Sequence, residues 1–292
     1  MRLRRYDEIG AERRGTLLVL LSAAAYGTMP ILARFAYAEG VAVAGLLAYR
    51  FLFATALFAL LRRPKTPEIP LRKRLVLWGL GAVFVGNSLC YFLALERMPV
   101  SVMTLLLYTY PVLVTLISAL FGLDPLTPRN LGAATLAFSG VAVTAGSLAG
   151  ADARGVALAL SAALIYSLYM VLAGRFARDV PSEQAARHVA QVALVAYASW
   201  AAARGELPLH TTPAAWAALL AIGVVCTVLA LRGFLAGLAL VGPARAAVLS
   251  SFEIVVALAL AMAFLGERPG PRLFVGGSLI VAAVALQRPA LR

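Results

Sequence analysis

Glu253 is an acid in a place where an acid is expensive. It lies near the middle of an apolar stretch, residues 243–267, directly after Ser250 and Ser251. In hydrocarbon an ionisable side chain costs at least ~2.5–3.5 kcal/mol on the lenient insertion scale, so such a group marks a site or a fixed partner. It would hold a cationic group, carry a proton, or pair with an arginine. An earlier stretch, 99–128, has the same plan, with Tyr108-Thr109-Tyr110-Pro111 at its centre. Pro111 has no N–H for the carbonyl of Leu107, which leaves an acceptor for water, a side chain or a ligand. Counting along the two stretches sets Thr109 opposite Glu253. Tyrosine and threonine hydroxyls, a carboxylate and Ser251, gathered at a proline-broken helix, suit the amino and carboxylate groups of an amino acid.

Other polar groups join this set. Ser22, Tyr26, Met29 and Pro30 share one helical face, and Pro30 frees the carbonyl of Tyr26 in the same way. Tyr166, Tyr169 and Met170 form a similar face in the second half of the chain. Asn87 and Tyr91 stand at i, i+4. Each has a structural alternative: a kink satisfied by neighbouring helices, an aromatic belt at a membrane interface, or an amide bonding across helices. The charges Arg50, Arg232 and Glu253 also admit two readings. Glu253 either titrates or holds a substrate ammonium, or it forms a fixed pair with Arg50 or Arg232 that locks helices together. Arg50 lies close enough to the start of its run to snorkel. His188 and His210 fall at helix ends or in loops and are expected to face solvent.

The elements that must position these residues are membrane helices. The 292 residues are 62% hydrophobic and 13% charged, with a mean hydropathy of +0.88, which excludes an ordinary soluble domain. Apolar runs at 16–36, 42–61, 75–95, 100–121, 129–148, 155–174, 187–203, 214–238, 244–265 and 273–288 match the length that crosses a bilayer. The expected fold is all-α, with ten transmembrane helices. A net charge of +13 would suggest nucleic acid in a soluble chain. Here the basic residues cluster on one side, at Arg2 to Arg14, Arg62 to Lys65 and Arg72 to Arg74, and are sparse on the other, at Arg97, Arg154, Arg204, Arg268 and Arg272. By the positive-inside rule both termini are cytoplasmic, and the basic loops meet anionic lipid headgroups instead of nucleic acid. Cys90 and Cys226 lie within apolar runs and read as small buried hydrophobes. No spacing suggests a metal site or a cofactor loop, and Gly276-Gly277 reads as close helix packing.

The second half of the chain repeats the first. Tyr26 with Arg34-Phe35-Ala36 is echoed by Tyr166 with Arg175-Phe176-Ala177, Leu93-Ala94-Leu95 by Leu238-Ala239-Leu240, and Phe121-Gly122 by Leu265-Gly266, at an offset of about 140–145 residues. Five spans per half is an odd number, so the halves enter the membrane from opposite sides, as in many secondary transporters. The organisation expected is a basic segment 1–15, a first repeat 16–148, a linker 149–154, a second repeat 155–288 and a tail 289–292.

The chain resembles the drug/metabolite transporter superfamily, in its ten-helix branch of EamA-type exporters. The resemblance rests on Ala48-Tyr49-Arg50-Phe51, on Phe252-Glu253-Ile254-Val255, on Leu265-Gly266-Glu267, and on Gly276 through Ala283. It covers essentially the whole chain. One departure is Ile254, where the family has proline after the glutamate. The resemblance implies export of small organic metabolites across the bacterial inner membrane, amino acids being a frequent class, with protons as a possible second partner and a monomer or weak oligomer as the working unit. A sugar-phosphate exchanger would want more Lys and Arg in its cavity than Arg50 and Arg232. An intramembrane enzyme would need a second catalytic group near Glu253, and none is apparent in the spans. A purely structural protein predicts no solute flux.

Overall fold

The computed structural model describes residues 2–61, 69–122, 127–145, 152–177, 179–207, 210–241, 249–250 and 252–286. Among them all regular structure is helical. The helices are α1 (Arg2–Ala38), α2 (Val43–Leu60), α3 (Leu71–Arg97), α4 (Val100–Leu107), α5 (Tyr110–Leu120), α6 (Pro128–Ala145), α7 (Ala153–Phe176), α8 (Ser182–Arg204), α9 (Pro213–Gly223), α10 (Ala230–Val241), α11 (Phe252–Leu265) and α12 (Pro271–Leu286). A π-helical turn, Val224–Leu229, joins α9 to α10. Six stretches are long and apolar enough to cross a membrane: 10–38, 43–60, 71–97, 100–120, 153–176 and 213–238. Helices 252–265 and 271–283 are apolar but shorter.

The local breaks follow from residue chemistry. α4 and α5 are two pieces of one apolar run, interrupted at Tyr108-Thr109 just before Pro111. A proline cannot donate to the preceding turn, so the ladder stops there. Pro30 has a milder effect, and α1 runs through it without a break. The basic segment at the N-terminus belongs to the same continuous helix. Thr212 accepts a bond from the Ala215 N–H and caps α9, whose first residue is Pro213. Gly122 and Gly266 end α5 and α11 with positive φ of 65° and 66°, a conformation glycine adopts without a Cβ penalty.

The packing alternates between the two halves of the chain. α3 lies against α7, and α1 against α9 and α10; α2 meets α8, and α6 meets α12. α7 covers α4 and α5, while α1 covers α11; α3 touches α8, and α2 touches α9. Without a hydrophobic drive between helices in lipid, such contacts depend on backbones coming close at small residues. A Cβ on Gly140 would sit 2.7 Å from the Gly276 carbonyl oxygen, and one on Gly277 would sit 2.9 Å from Leu105. A Cβ on Gly81 would meet Val192 at 2.8 Å. These glycines set the α6–α12, α12–α4 and α3–α8 distances. The Gly276-Gly277 pair therefore serves helix packing, as its setting in an apolar run suggests.

Candidate functional site

Glu253 and Tyr108 meet. The Tyr108 hydroxyl donates to Glu253 Oε2 at 2.9 Å and lies 3.3 Å from the Ser250 carbonyl oxygen. The break between α4 and α5 turns Tyr108 toward α11, so the proline that interrupts one half presents a hydroxyl to the acid of the other. α1 completes this arrangement. A Cβ on Gly27 would fall 2.8 Å from the Glu253 carbonyl oxygen and 2.9 Å from Val256, so the backbones of α1 and α11 are nearly in contact beside Tyr26. Pro30 is buried one turn further on.

A file of aromatic rings extends from this point. Ring centroids run Tyr108–Tyr110 at 5.8 Å, Tyr110–Tyr166 at 4.9 Å, Tyr166–Tyr169 at 6.2 Å and Tyr169–Phe84 at 5.2 Å. It continues through Phe84–Phe51 at 6.3 Å to Phe51–Tyr197 at 5.7 Å. Such spacings are those of favourable edge and stacked pairs. Tyr26, Tyr91, Tyr110, Tyr166 and Tyr169 make no hydroxyl hydrogen bond among the described residues, and none of these oxygens is sealed from solvent. A buried hydroxyl without a partner is costly until water or a ligand satisfies it.

Arg50 stands at the other end of the file. It is 6% exposed, so it does not snorkel. Its Nε donates to the Thr227 hydroxyl at 3.1 Å. Its guanidinium carbon lies 4.9 Å from the Phe51 ring centroid and 5.3 Å from that of Phe92, within cation–π range. Phe92 in turn contacts Tyr91 at 5.1 Å. Thr227 belongs to the π-helical turn and donates to the Ile222 carbonyl at 2.8 Å. Arg232 lies 3.4 Å from Glu183. Among the described residues no ion pair joins either arginine to Glu253. The fixed-pair alternative is thereby corrected: one arginine is held by rings and a hydroxyl, the other by a different acid.

The remaining candidates separate. Asn87 donates to the Ala162 carbonyl at 2.9 Å and is buried, so its amide ties α3 to α7. Thr109, which the repeat sets opposite Glu253, gives its hydroxyl to the Leu106 carbonyl at 2.8 Å. Tyr108 faces the acid in its place, because Thr109 is buried in the break and bonds locally. Ser251 lies outside the described residues. His188 is 7% exposed, and its Nδ1 lies 2.9 Å from the Gln184 carbonyl. The expectation that it faces solvent is wrong; the ring folds back on its own helix. Ser22 donates to the Ala230 carbonyl at 2.6 Å. Cys226 is buried beside the Thr28 hydroxyl at 3.3 Å, and Cys90 is half-buried.

Glu267 plays a part that the sequence reading missed. Its carboxylate accepts from Val100 N at 2.6 Å, Ser101 N at 3.0 Å and Ser101 Oγ at 2.6 Å. An acid from the end of α11 thus caps the first turn of α4, where free N–H groups and the helix dipole favour negative charge. Leu265-Gly266-Glu267 reads in sequence only as a stop. The signal that could have found the cap is Pro99-Val100-Ser101, a helix start with no acid of its own. Nearby, Asp152 caps α7 through Arg154 N at 2.9 Å and pairs with Arg97 at 2.9 Å. The Arg154 N–H first, and then the Arg97 guanidinium, hold the Asp152 carboxyl below its ordinary value. Among the described residues no cluster of His, Cys, Asp or Glu is placed to hold a metal.

The profile of the EamA-like transporter family matches residues 13–146 and, a second time, 153–287. The chain is 27% identical over 292 residues to "Uncharacterized transporter YcbK" of Bacillus subtilis (strain 168), covering 92% of this chain and 91% of that one. It is 34% identical over 111 residues to "Aromatic amino acid exporter YddG" of Ancylobacter novellus, covering 36% of this chain and 38% of that protein. Its fold is similar to that of a protein solved by crystallography, with a TM-score of 0.65, 25% identity, and coverage of 93% of this chain and 97% of the other. With six stretches among the described residues long and apolar enough to cross a membrane, and with this family match, the molecule is a multi-pass membrane protein.

Proposed function

The chain belongs to the EamA-like transporter family, and from that premise we propose that it exports small organic metabolites, amino acids first and apolar or aromatic ones favoured, across the bacterial inner membrane. The observation that carries this reading is the meeting of Glu253 with Tyr108 beside Tyr110, Tyr166 and Tyr169, whose hydroxyls have no protein partner among the described residues. A carboxylate at that depth suits a substrate ammonium or a carried proton, and the rings suit an apolar side chain. The name of the Ancylobacter relative supports the amino-acid class over the part of the chain it matches. The architecture we infer has ten spans in two inverted five-helix repeats, 16–148 and 155–288, joined by 149–154, with both termini cytoplasmic. The helix contacts that recur with the halves exchanged, α3–α7 with α1–α10 and α7–α4 with α1–α11, support this pseudo-two-fold. Alternating access is then a rocking of one half against the other. The protein works as a monomer or weak oligomer in lipid, without a cofactor and without enzymatic chemistry.

The test is flux of a labelled amino-acid panel in proteoliposomes, with and without a pH gradient, for wild type and Glu253→Gln. Gradient-driven flux that is lost with Glu253 makes this residue the coupling acid. Saturable flux that ignores pH and survives the substitution makes the protein a facilitator and Glu253 a structural group. No flux for any amino acid overturns the substrate class and brings sugar phosphates next.

A further inference from the structure

We infer that Arg50 is the receptor for the substrate's carboxylate, aimed by Thr227 from the π-helical turn. The inference rests on the amino-acid reading above and extends it to a second pole of the site. Three observations carry it. The guanidinium is 6% exposed at membrane depth, yet among the described residues no carboxylate lies within ion-pair distance of it. Its one hydrogen bond among the described residues, from Nε to Thr227 at 3.1 Å, occupies one edge of the fork, and the Phe51 and Phe92 rings at 4.9 and 5.3 Å support it by cation–π contact. That leaves the Nη1 and Nη2 edge, neither atom of which is sealed from solvent, and a planar carboxylate binds such an edge with two parallel bonds. Finally, Phe92, on which the guanidinium rests, packs against Tyr91 at 5.1 Å, while Glu253 meets Tyr108 and its backbone abuts α1 at Gly27, beside Tyr26. The two opposite charges therefore stand apart, each beside its own aromatic neighbours and with no ion pair between them among the described residues, an arrangement complementary to a zwitterion.

The π-helical turn explains how Arg50 fits. A Cβ on Gly223 would come within 2.9 Å of the Arg50 carbonyl oxygen and 2.7 Å of Phe53 Cβ, so α2 and α9 are in backbone contact at this level. The wider turn that follows, common at functional sites, places the Thr227 hydroxyl level with the Arg50 side chain. Thr227 is a positioning residue, and Arg50 a binding one.

The experiment measures displacement of labelled L-phenylalanine and L-leucine from wild-type protein in proteoliposomes. The competitors are each acid, its amide, its decarboxylated amine, and inorganic phosphate. Loss of a charge-assisted fork predicts that amide and amine compete roughly 10- to 100-fold more weakly than the acid. Arg50→Gln should weaken the acid to the level of its amide and leave the amide unchanged, with Arg50→Lys intermediate. Thr227→Val should raise KM for the acid at constant maximal flux. Equal competition by acid and amide, where the acid is transported, overturns the assignment of Arg50 and leaves amino-acid export standing. Phosphate competing as well as the acid overturns a carboxylate receptor in favour of a phosphate one. If neither amino acid binds wild type, the export reading and this assignment fall together. The wild-type competitor series decides the matter even if Arg50→Gln does not fold.

Discussion

Two glutamates of the second half grip the two ends of one short helix of the first. Glu267 takes the start of α4 with three hydrogen bonds, to Val100 N, Ser101 N and Ser101 Oγ. Glu253 takes the end of α4 with a single described bond, from Tyr108. The chemistry of the two groups is the same, and what differs is saturation. A carboxylate with three donors in place has little left to offer a ligand and is fixed by what it holds. A carboxylate with one described donor, beside tyrosine hydroxyls without a protein partner among the described residues, keeps lone pairs for something that comes and goes. Burial of an acid therefore does not by itself mark a site, whereas an incompletely satisfied acid beside unpaired donors does.

That contrast can be broken by substitution. The largest expected effect is on transport: Glu253→Gln should abolish gradient-driven flux while moving the thermal midpoint in detergent little, since an amide oxygen takes the place of the carboxylate oxygen as acceptor for Tyr108. A loss of stability matching that of a Glu267 variant would make Glu253 the second structural grip and remove the contrast. Next comes Glu267→Ala, which strands three donors at the start of α4 and should cost about 1–3 kcal/mol. The expected readout is a lower melting temperature, with KM of the surviving protein unchanged. Tyr108→Phe removes the one bond Glu253 receives, worth about 1 kcal/mol, and should shift KM by less than roughly tenfold. A larger fall in maximal flux would mean that Tyr108 moves during the cycle. Ser101→Ala removes one of the three donors to Glu267 and should weaken the cap by about 0.5–1.5 kcal/mol, detectable only as a small drop in melting temperature.

The smallest effect concerns the exposed cap at Asp152. Its carboxyl is held low by Arg154 N–H and Arg97, so its folded value lies below its unfolded one. The stabilisation is then present above the ordinary carboxylate range and is lost as the pH falls through the lowered value. Asp152→Asn should narrow the difference in melting temperature between neutral and acidic buffer slightly. Wild type and variant should converge at the acidic end.

Much of the candidate site could be read in order along the chain, but not in its pairings. Tyr26, Tyr108, Tyr166, Tyr169 and Glu253 announce themselves because polar side chains inside apolar runs are costly. Pro111 announces the break, because a missing N–H acts within one turn. Thr109 is the repeat counterpart of Glu253, yet Tyr108 meets the acid, because the Thr109 hydroxyl bonds to Leu106 within the broken turn. Arg50 and Arg232 both looked available to Glu253, since charge is visible in sequence and distance is not.

The sequence by itself determined that the chain crosses a membrane repeatedly, that its halves repeat, and that one helix breaks before Pro111. These properties follow from apolar length, from a self-similar pattern and from residues whose backbone limits are intrinsic. Only the tertiary structure decided that Glu267 caps a helix about 165 residues earlier in the chain, that Asn87 ties α3 to α7, that His188 is buried, and that Arg50 rests on rings and a hydroxyl of a π-helical turn. Each of these depends on which helices become neighbours and at what height. That is settled by close backbone contacts at residues such as Gly27, Gly140 and Gly223, whose partners lie in the other half of the chain.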